Sequence, residues 1–481
     1  MKQFDSELTE EQYEKLIIEQ SKQAKAVLNE KYKLEELLEE RNQYIQKLQQ
    51  EIQPKRQFLK DLEKRKIYKI LRSVNLIQNI SPFNKEEEFK FSRRVLGEER
   101  HIKNYKCYDN FYQDNMDFRE YHTDIKPLAF YLPQFHSFKE NDEWWGKGFT
   151  EWTNTKKSKP HFEGHYQPRE PHDDIGYYEL TKIDVLKKQI ELAKQHGIYG
   201  FCFYYYWFSG KRLMEKPVDL LMEHPEVEFP FCLCWANENW TRTWDGMHKN
   251  VLIAQDYSKS DYKKFIIDLK KYVMDPRYIR IDGKPLIMIY NPYEIPNLKE
   301  QISEWKKFAL EEGIGEIFVL VKSYPQSQEY DNVIVSDGEF EFAPYRMNGG
   351  TDLWGIDKSY LFDYKKMIEL LPLYYKEKIR VKPYFYCCTM GWDNSARRQE
   401  DYTVYCNYSP KAFYDWIKML VKRTREELPE EARFIFVNAW NEWAEGTYLE
   451  PDKKYGYTNI NTLSRAIFDL PYSSKKDKKN D

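Results

Sequence analysis

The 481-residue chain has little of what marks several common protein classes. Long apolar runs are missing, and no stretch approaches the ~20 residues that a membrane-spanning helix needs. Glycine is scarce, at 19 residues, and no glycine-rich dinucleotide or phosphate-loop fingerprint follows an apolar run. An open nucleotide-binding sheet is therefore disfavoured. The seven cysteines are odd in number, and Cys202, Cys232, Cys234, Cys387 and Cys388 sit inside apolar runs without zinc-site spacing. They read as buried thiols of a reducing compartment. A net charge of -3 offers no field for nucleic acid. There is no His-Glu-x-x-His and no Asp-x-Asp, the pair that holds a divalent cation in many transferases using nucleotide sugars. No metal and no cofactor are expected. The start, Met1-Lys2-Gln3-Phe4-Asp5, is polar and lacks a signal peptide, so the expected location is the cytoplasm.

Aromatic residues, by contrast, are abundant: 39 Tyr, 28 Phe and 13 Trp. Their faces suit the C–H faces of sugar rings, although many must fill a core. Residues 1–75 carry heptads, with a positions at Ile17, Ala24, Lys31, Leu38, Ile45, Ile52 and Leu59 and d positions at Gln20, Val27, Leu34, Arg41, Leu48, Lys55 and Leu62, a mostly apolar seam whose charged members leave a lone charged helix as the alternative. This predicts a helical coiled coil and a homo-oligomer, with Pro54 as a break. The basic stretch 64–72 reads as a solvated helix end or as peripheral contact with the inner face of a membrane. Residues 76–124 read as a linker packing on the domain C-terminal to it, and 471–481 as a disordered tail.

From 125 to 470 strands and helices alternate. Apolar, β-rich runs predict strands over 127–132, 199–206, 229–235, 285–290, 316–321, 333–342, 382–388 and 434–437. Amphipathic stretches predict helices over 183–196, 217–223, 261–273, 298–312, 364–375 and 410–427. Eight buried strands separated by helices predict an α/β fold, a (β/α)8 TIM-like barrel. Such barrels build their sites just after the strands, and polar residues collect there.

Two of these stand out. Glu442 and Glu445 follow the last strand, three residues apart, among Asn441, Trp443 and Trp440. In a helix-like turn they share a face, and apolar indoles together with a second carboxylate favour a protonated acid. A pair held in different protonation states does acid–base work. Candidate substrate contacts are Gln134 and His136 after the first strand, and Trp144, Trp145, Glu151 and Trp152 in the adjoining long loop. Tyr206 and Trp207 after the second strand join them, with Asn237, Glu238, Asn239 and Trp240 after the third, Trp392 and Asp393 after the seventh, and Asn441 and Trp443 beside the acids. Arg397 and Arg398 either grip a phosphate or carboxylate or bridge loop acids.

The stretches 129–136, 141–154, 165–168, 201–208, 234–241, 391–394 and 440–451 resemble the WbsX-like glycosyltransferase family of bacterial O-antigen and capsule clusters. That family is similar in turn to glycoside hydrolase family 99, the endo-α-mannosidase group, whose fold is a (β/α)8 barrel. Family 99 carries its two functional acids in a Glu-Trp-x-Glu-Gly-Thr motif, matched here by Glu442-Trp443-Ala444-Glu445-Gly446-Thr447. The resemblance implies that Glu442 is the base activating the sugar's own 2-hydroxyl. It implies that Glu445 is the acid/base on the glycosidic oxygen, with a 1,2-anhydro sugar between two steps and net retention. The family has a larger polar residue where Ala444 stands. The implied activity is glycosyl transfer in cell-surface polysaccharide assembly, from a nucleotide-sugar donor to a lipid-linked acceptor. An endo-α-mannosidase-like hydrolase and a non-catalytic glycan-binding scaffold are the alternatives.

Overall fold

A computed structural model of the chain describes residues 111–473, apart from 163, 243–246, 324–334, 346, 348–358, 377–381 and 399, and apart from the side chains of 241–251. The predicted coiled coil, its oligomer and the basic stretch 64–72 lie outside the described residues.

Apolar runs become parallel strands: β1 Lys126–Tyr131, β2 Gly200–Phe208, β3 Phe231–Trp235, β4 Lys284–Ile289, β5 Phe318–Lys322 and β6 Gly338–Phe340. The seventh, β7, comes in two pieces, Tyr384–Phe385 and Cys387–Cys388, and β8 is Phe434–Val437. Each strand of β1 to β5 is buried on nearly every residue, as a sheet covered on both faces requires. Nine strand segments follow one another along one path, and its two ends are the two pieces of β7. Tyr384–Phe385 pairs with β6 and Cys387–Cys388 with β8, with only Tyr386 between them. The path therefore returns on itself, and nine segments make the eight staves of a TIM-like barrel.

The break in β7 has its cause in a residue distant in sequence. Buried Glu341, just past β6, accepts the Cys387 N–H at 3.2 Å and the hydroxyls of Tyr384 at 2.7 Å and Tyr375 at 3.1 Å. A carboxylate thus takes a donor that a continuous strand would give to its neighbour. Aromatic rings fill the barrel. Phe130 lies 5.7 Å from Tyr204, 5.4 Å from Phe436 and 5.1 Å from Phe342, so the interior is a packed core and not a pore.

Helices on the outside bury one apolar stripe each. Examples are Ile183–Gln195, whose Leu186, Ile190 and Ala193 face inward, and Pro410–Glu427, started by a Ser409 side chain that accepts the Ala412 N–H. The final helix, Thr458–Ile467, is buried on all its residues despite three polar side chains in its first four. Residues 111–118 cover it: Gln113 accepts the Tyr457 N–H, and Asn461 donates to Gln113 and to the Asp114 carbonyl. All six described cysteines are free and buried. Two departures from the expected elements matter. The sixth strand is short, Gly338–Phe340, and a small parallel sheet, Tyr360–Asp363 with Thr403–Cys406, stands beside the loop after β7. Its eight residues alternate too briefly to be told from loop in sequence.

Candidate active site

The chain after β8 makes a tight structure of its own. Asn441–Glu442 pairs antiparallel with Thr447–Tyr448, and Trp443–Glu445 between them forms a single 3-10 turn. In that turn residues three apart eclipse, which brings Glu442 and Glu445 to one side. Gly446 closes it at φ 62°, in the left-handed region. A Cβ there would meet the Cβ of Asp393 at 2.8 Å and the Arg169 guanidinium at 2.9 Å, so the position demands glycine twice over.

Both glutamates line a cavity of about 720 Å³ at the strand ends, within the ~300–1,000 Å³ usual for small-molecule sites. Glu442 is 4% exposed. One guanidinium holds them. Arg397 Nη2 donates to Glu442 Oε2 at 2.6 Å and to Glu151 Oε1 at 2.9 Å, and Nη1 donates to Glu445 Oε1 at 2.5 Å. Glu151 also accepts the Ala444 N–H at 2.8 Å, tying the helix Glu151–Lys157 to the turn. Three carboxylates, two of them buried and Glu445 half-buried, thus surround one permanent cation. Burial pushes Glu442 up to about 8; Arg397 opposes this, while Glu445 and Glu151 reinforce it. Burial likewise raises Glu445 against the pull of Arg397. Such a cluster keeps a proton near neutral pH and can pass it on.

Two further networks hold the turn from behind. Asp393 donates its N–H to the Glu445 carbonyl at 2.7 Å. Its carboxylate accepts from His165 at 2.9 Å, Gln167 at 2.9 Å, Arg169 at 3.2 Å and Ser395 Oγ at 2.6 Å. Burial works against that charge, yet His165, Arg169 and Ser395 outweigh it and hold Asp393 well below the usual carboxylate range. Glu450 accepts four hydrogen bonds, from Trp443 and Gln189 at 2.7 Å, Tyr178 at 2.8 Å and Trp440 at 3.1 Å. Burial pushes it up to about 7 against those bonds.

The expected contact residues divide. Gln134, Trp145, Tyr206, Glu238, Asn239, Trp240 and Trp392 line the cavity with the two acids. The others do not line it. Trp152 is packed between Phe135, Tyr178 and Trp443, with its indole N–H on the Tyr178 carbonyl. Trp443 stacks on Tyr448 at 3.9 Å. Trp207 donates to Asp261, and Trp144 packs edge-on to Trp240, behind the wall. Asn237 and Asn441 are fully buried and spend their amides on neighbouring strand ends, Asn237 on Asn291 and Asn441 on Leu132. His136 is buried off the cavity, and burial depresses its basicity. Glu151 and Asp393 act on the acids through Arg397 and the backbone. Missed by sequence reasoning were Tyr204, Tyr290, Phe342, Tyr360 and Phe362, which also line the cavity. Their signal was the strand-end rule itself, which the sequence cannot apply to aromatics because core and cleft use the same rings.

Comparison with known sequences decides the family. The profile described as Glycosyltransferase WbsX matches residues 127–463. The chain belongs to the WbsX glycosyltransferase family. This is a family of carbohydrate-active enzymes, and its match spans every stave of the WbsX barrel. The chain is 38% identical over 351 residues to the uncharacterized protein WxcX of Xanthomonas campestris pv. campestris strain B100, covering 72% of this chain and 50% of that protein. It thus spans about half the length of the curated relatives it matches. Among solved structures, a GH99 endo-alpha-mannosidase from Bacteroides thetaiotaomicron is similar at a TM-score of 0.46 and 14% identity, over 71% of this chain and 96% of that one. A glycoside hydrolase-like protein reaches 0.48 at 14% identity, over 73% and 96%. Among the described residues of this WbsX member, no helix is long and apolar enough to cross a membrane.

Proposed function

We propose that this WbsX protein is a glycosyltransferase of bacterial cell-surface polysaccharide assembly, O-antigen or capsule, in which Glu442 and Glu445 do the proton work. The supporting observation is that one guanidinium, Arg397, ties both carboxylates inside one aromatic-lined cavity. Glu442, raised by burial, is basic enough to take the proton of the sugar's 2-hydroxyl once it is ionised. That oxygen then attacks the anomeric carbon, and the bond to the leaving oxygen breaks. Glu445 protonates a leaving alcohol; a phosphate leaving group departs without that proton. In the second step the acceptor hydroxyl gives its proton to Glu445 and opens the 1,2-anhydro ring at the anomeric carbon. Glu442 returns its proton to the 2-oxygen and configuration is retained overall; with an alcohol leaving group both acids end as they began, and with a phosphate leaving group Glu445 starts ionised and passes the acceptor's proton to water. Nucleotide-sugar donor, lipid-linked acceptor and cytoplasmic location near the inner membrane face belong to this proposal, as do the domain limits 1–75, 76–124 and 125–470 and the homo-oligomer.

Hydrolysis is the second reading, favoured by the same carboxylate pair, since water can open the anhydro ring as an alcohol does. Incubating the protein with activated sugars and with α-mannosides separates the two. Transfer predicts product only when donor and acceptor are both present. Free reducing sugar released without any donor overturns it.

A further inference from the structure

Arg397 is consumed by three carboxylates, but its neighbour Arg398 is not. Arg398 lines the same cavity, is half-buried, and forms no ion pair among the described residues. Its one side-chain hydrogen bond is long, 3.4 Å from Nη1 to the Asp401 carbonyl. Glu445, an acid that feels its charge, is already bonded to Arg397. A guanidinium carries five N–H donors in a planar fork, so four of these five have no hydrogen-bond acceptor among the described residues. Two more donors share its wall. The Asn394 side-chain Oδ1 accepts the Thr403 N–H at 2.7 Å, so that amide has its NH2 left to donate. Among the described residues neither that NH2 nor the Thr403 hydroxyl has a hydrogen-bond partner, and both residues line the cavity. The small sheet Tyr360–Asp363 with Thr403–Cys406 backs this wall and adds the rings of Tyr360 and Phe362.

The wall therefore offers donors and positive charge, and the one acid shown to feel that charge, Glu445, is already bonded to Arg397. The opposite side differs. Glu238 follows β3, four staves from β7 around the barrel, and is exposed in the cavity. We propose that the β7 side is an anion subsite, which takes a carboxylate or phosphate carried by the reacting sugar or by the group joined to it. A planar fork beside aromatic faces is the arrangement that grips such groups bidentately. The proposal rests on the reading that Glu442 and Glu445 act on a sugar in this cavity, and it adds which wall of the cavity holds the anionic group and which side chains grip it.

Equilibrium binding of the full chain to four probes tests it: glucose, glucuronic acid, glucose 1-phosphate and inorganic phosphate. At low salt at least one charged sugar is expected to bind ten-fold or more tighter than glucose. Arg398→Met should remove that preference, Thr403→Val should reduce it, and Arg398→Lys should keep part of it. A preference for glucose 1-phosphate and inorganic phosphate identifies a phosphorylated ligand, and one for glucuronic acid identifies an acidic sugar. Equal binding of charged and neutral sugars, undetectable binding included, overturns the subsite, as does an unchanged preference in Arg398→Met. An anion preference in a native chain that turns over no sugar of the panel keeps the subsite and removes the enzymatic reading. Turnover by the native chain without anion preference does the reverse.

Discussion

Two buried carboxylate clusters lie back to back, joined by the hydrogen bond from the Asp393 N–H to the Glu445 carbonyl. Each contains an arginine, yet they hold their protons in opposite ways. Around Asp393 one carboxylate meets His165, Arg169, an amide and a hydroxyl, so donors outnumber acceptors and the charge is kept. Around Arg397 one cation meets Glu151, Glu442 and Glu445, so acceptors outnumber cations and a proton is retained. Burial is common to both and works against the charged form in each. What differs is the count of compensating charges. The first cluster fixes a shape; the second keeps a proton within reach of the cavity.

The largest expected effect falls on the second cluster. Glu445→Gln should lower turnover by about 10²–10⁴-fold, the usual contribution of a positioned acid–base group, while ligand binding persists. Full activity in that variant removes its role. The first cluster should answer in stability instead. Asp393→Asn removes the buried charge that Arg169 and His165 face and should cost ~3–5 kcal/mol in denaturant titration. Because Asp393 ionises more readily folded than unfolded, its contribution is present above the ordinary carboxylate range and fades as pH falls through its depressed value. Native-like stability in Asp393→Asn at neutral pH would erase the contrast.

Glu450→Gln sharpens it further, because an amide NH2 then faces two of the four donors, with a loss of ~1–3 kcal/mol. Raised above its unfolded value, Glu450 costs stability as pH climbs from the ordinary glutamate range to about 7, and the variant should lose that slope. The smallest effect is a shape. The kcat/KM profile should rise with pH toward about 8 as Glu442 loses its proton, and Arg397→Gln should move that limb to higher pH, since Arg397 holds Glu442 down. A limb that stays put in the variant breaks the link between the guanidinium and the proton.

Much of the barrel was legible in advance. Phe434–Val437 and Pro410–Glu427 fall on their expected limits, because a short buried run and a long amphipathic stripe with Pro at its start are local signals. The broken seventh strand was not legible, since its cause is Glu341 arriving from another strand. Nor was the division of the tryptophans: Trp145 and Trp240 face the cavity, whereas Trp152 and Trp443 are core. An indole is equally suited to both places, and only packing assigns it.

By itself the sequence determined the alternation of buried strands and amphipathic helices, and it set Glu442 and Glu445 three residues apart at a strand end. Those follow from side-chain periodicity along a chain. Only the tertiary structure decided which role Arg397 takes and which cluster keeps a proton, because a carboxyl's affinity for its proton is set by charges and burial through space, contributed here by residues 45 and 246 positions from Arg397 for the first two of its acids.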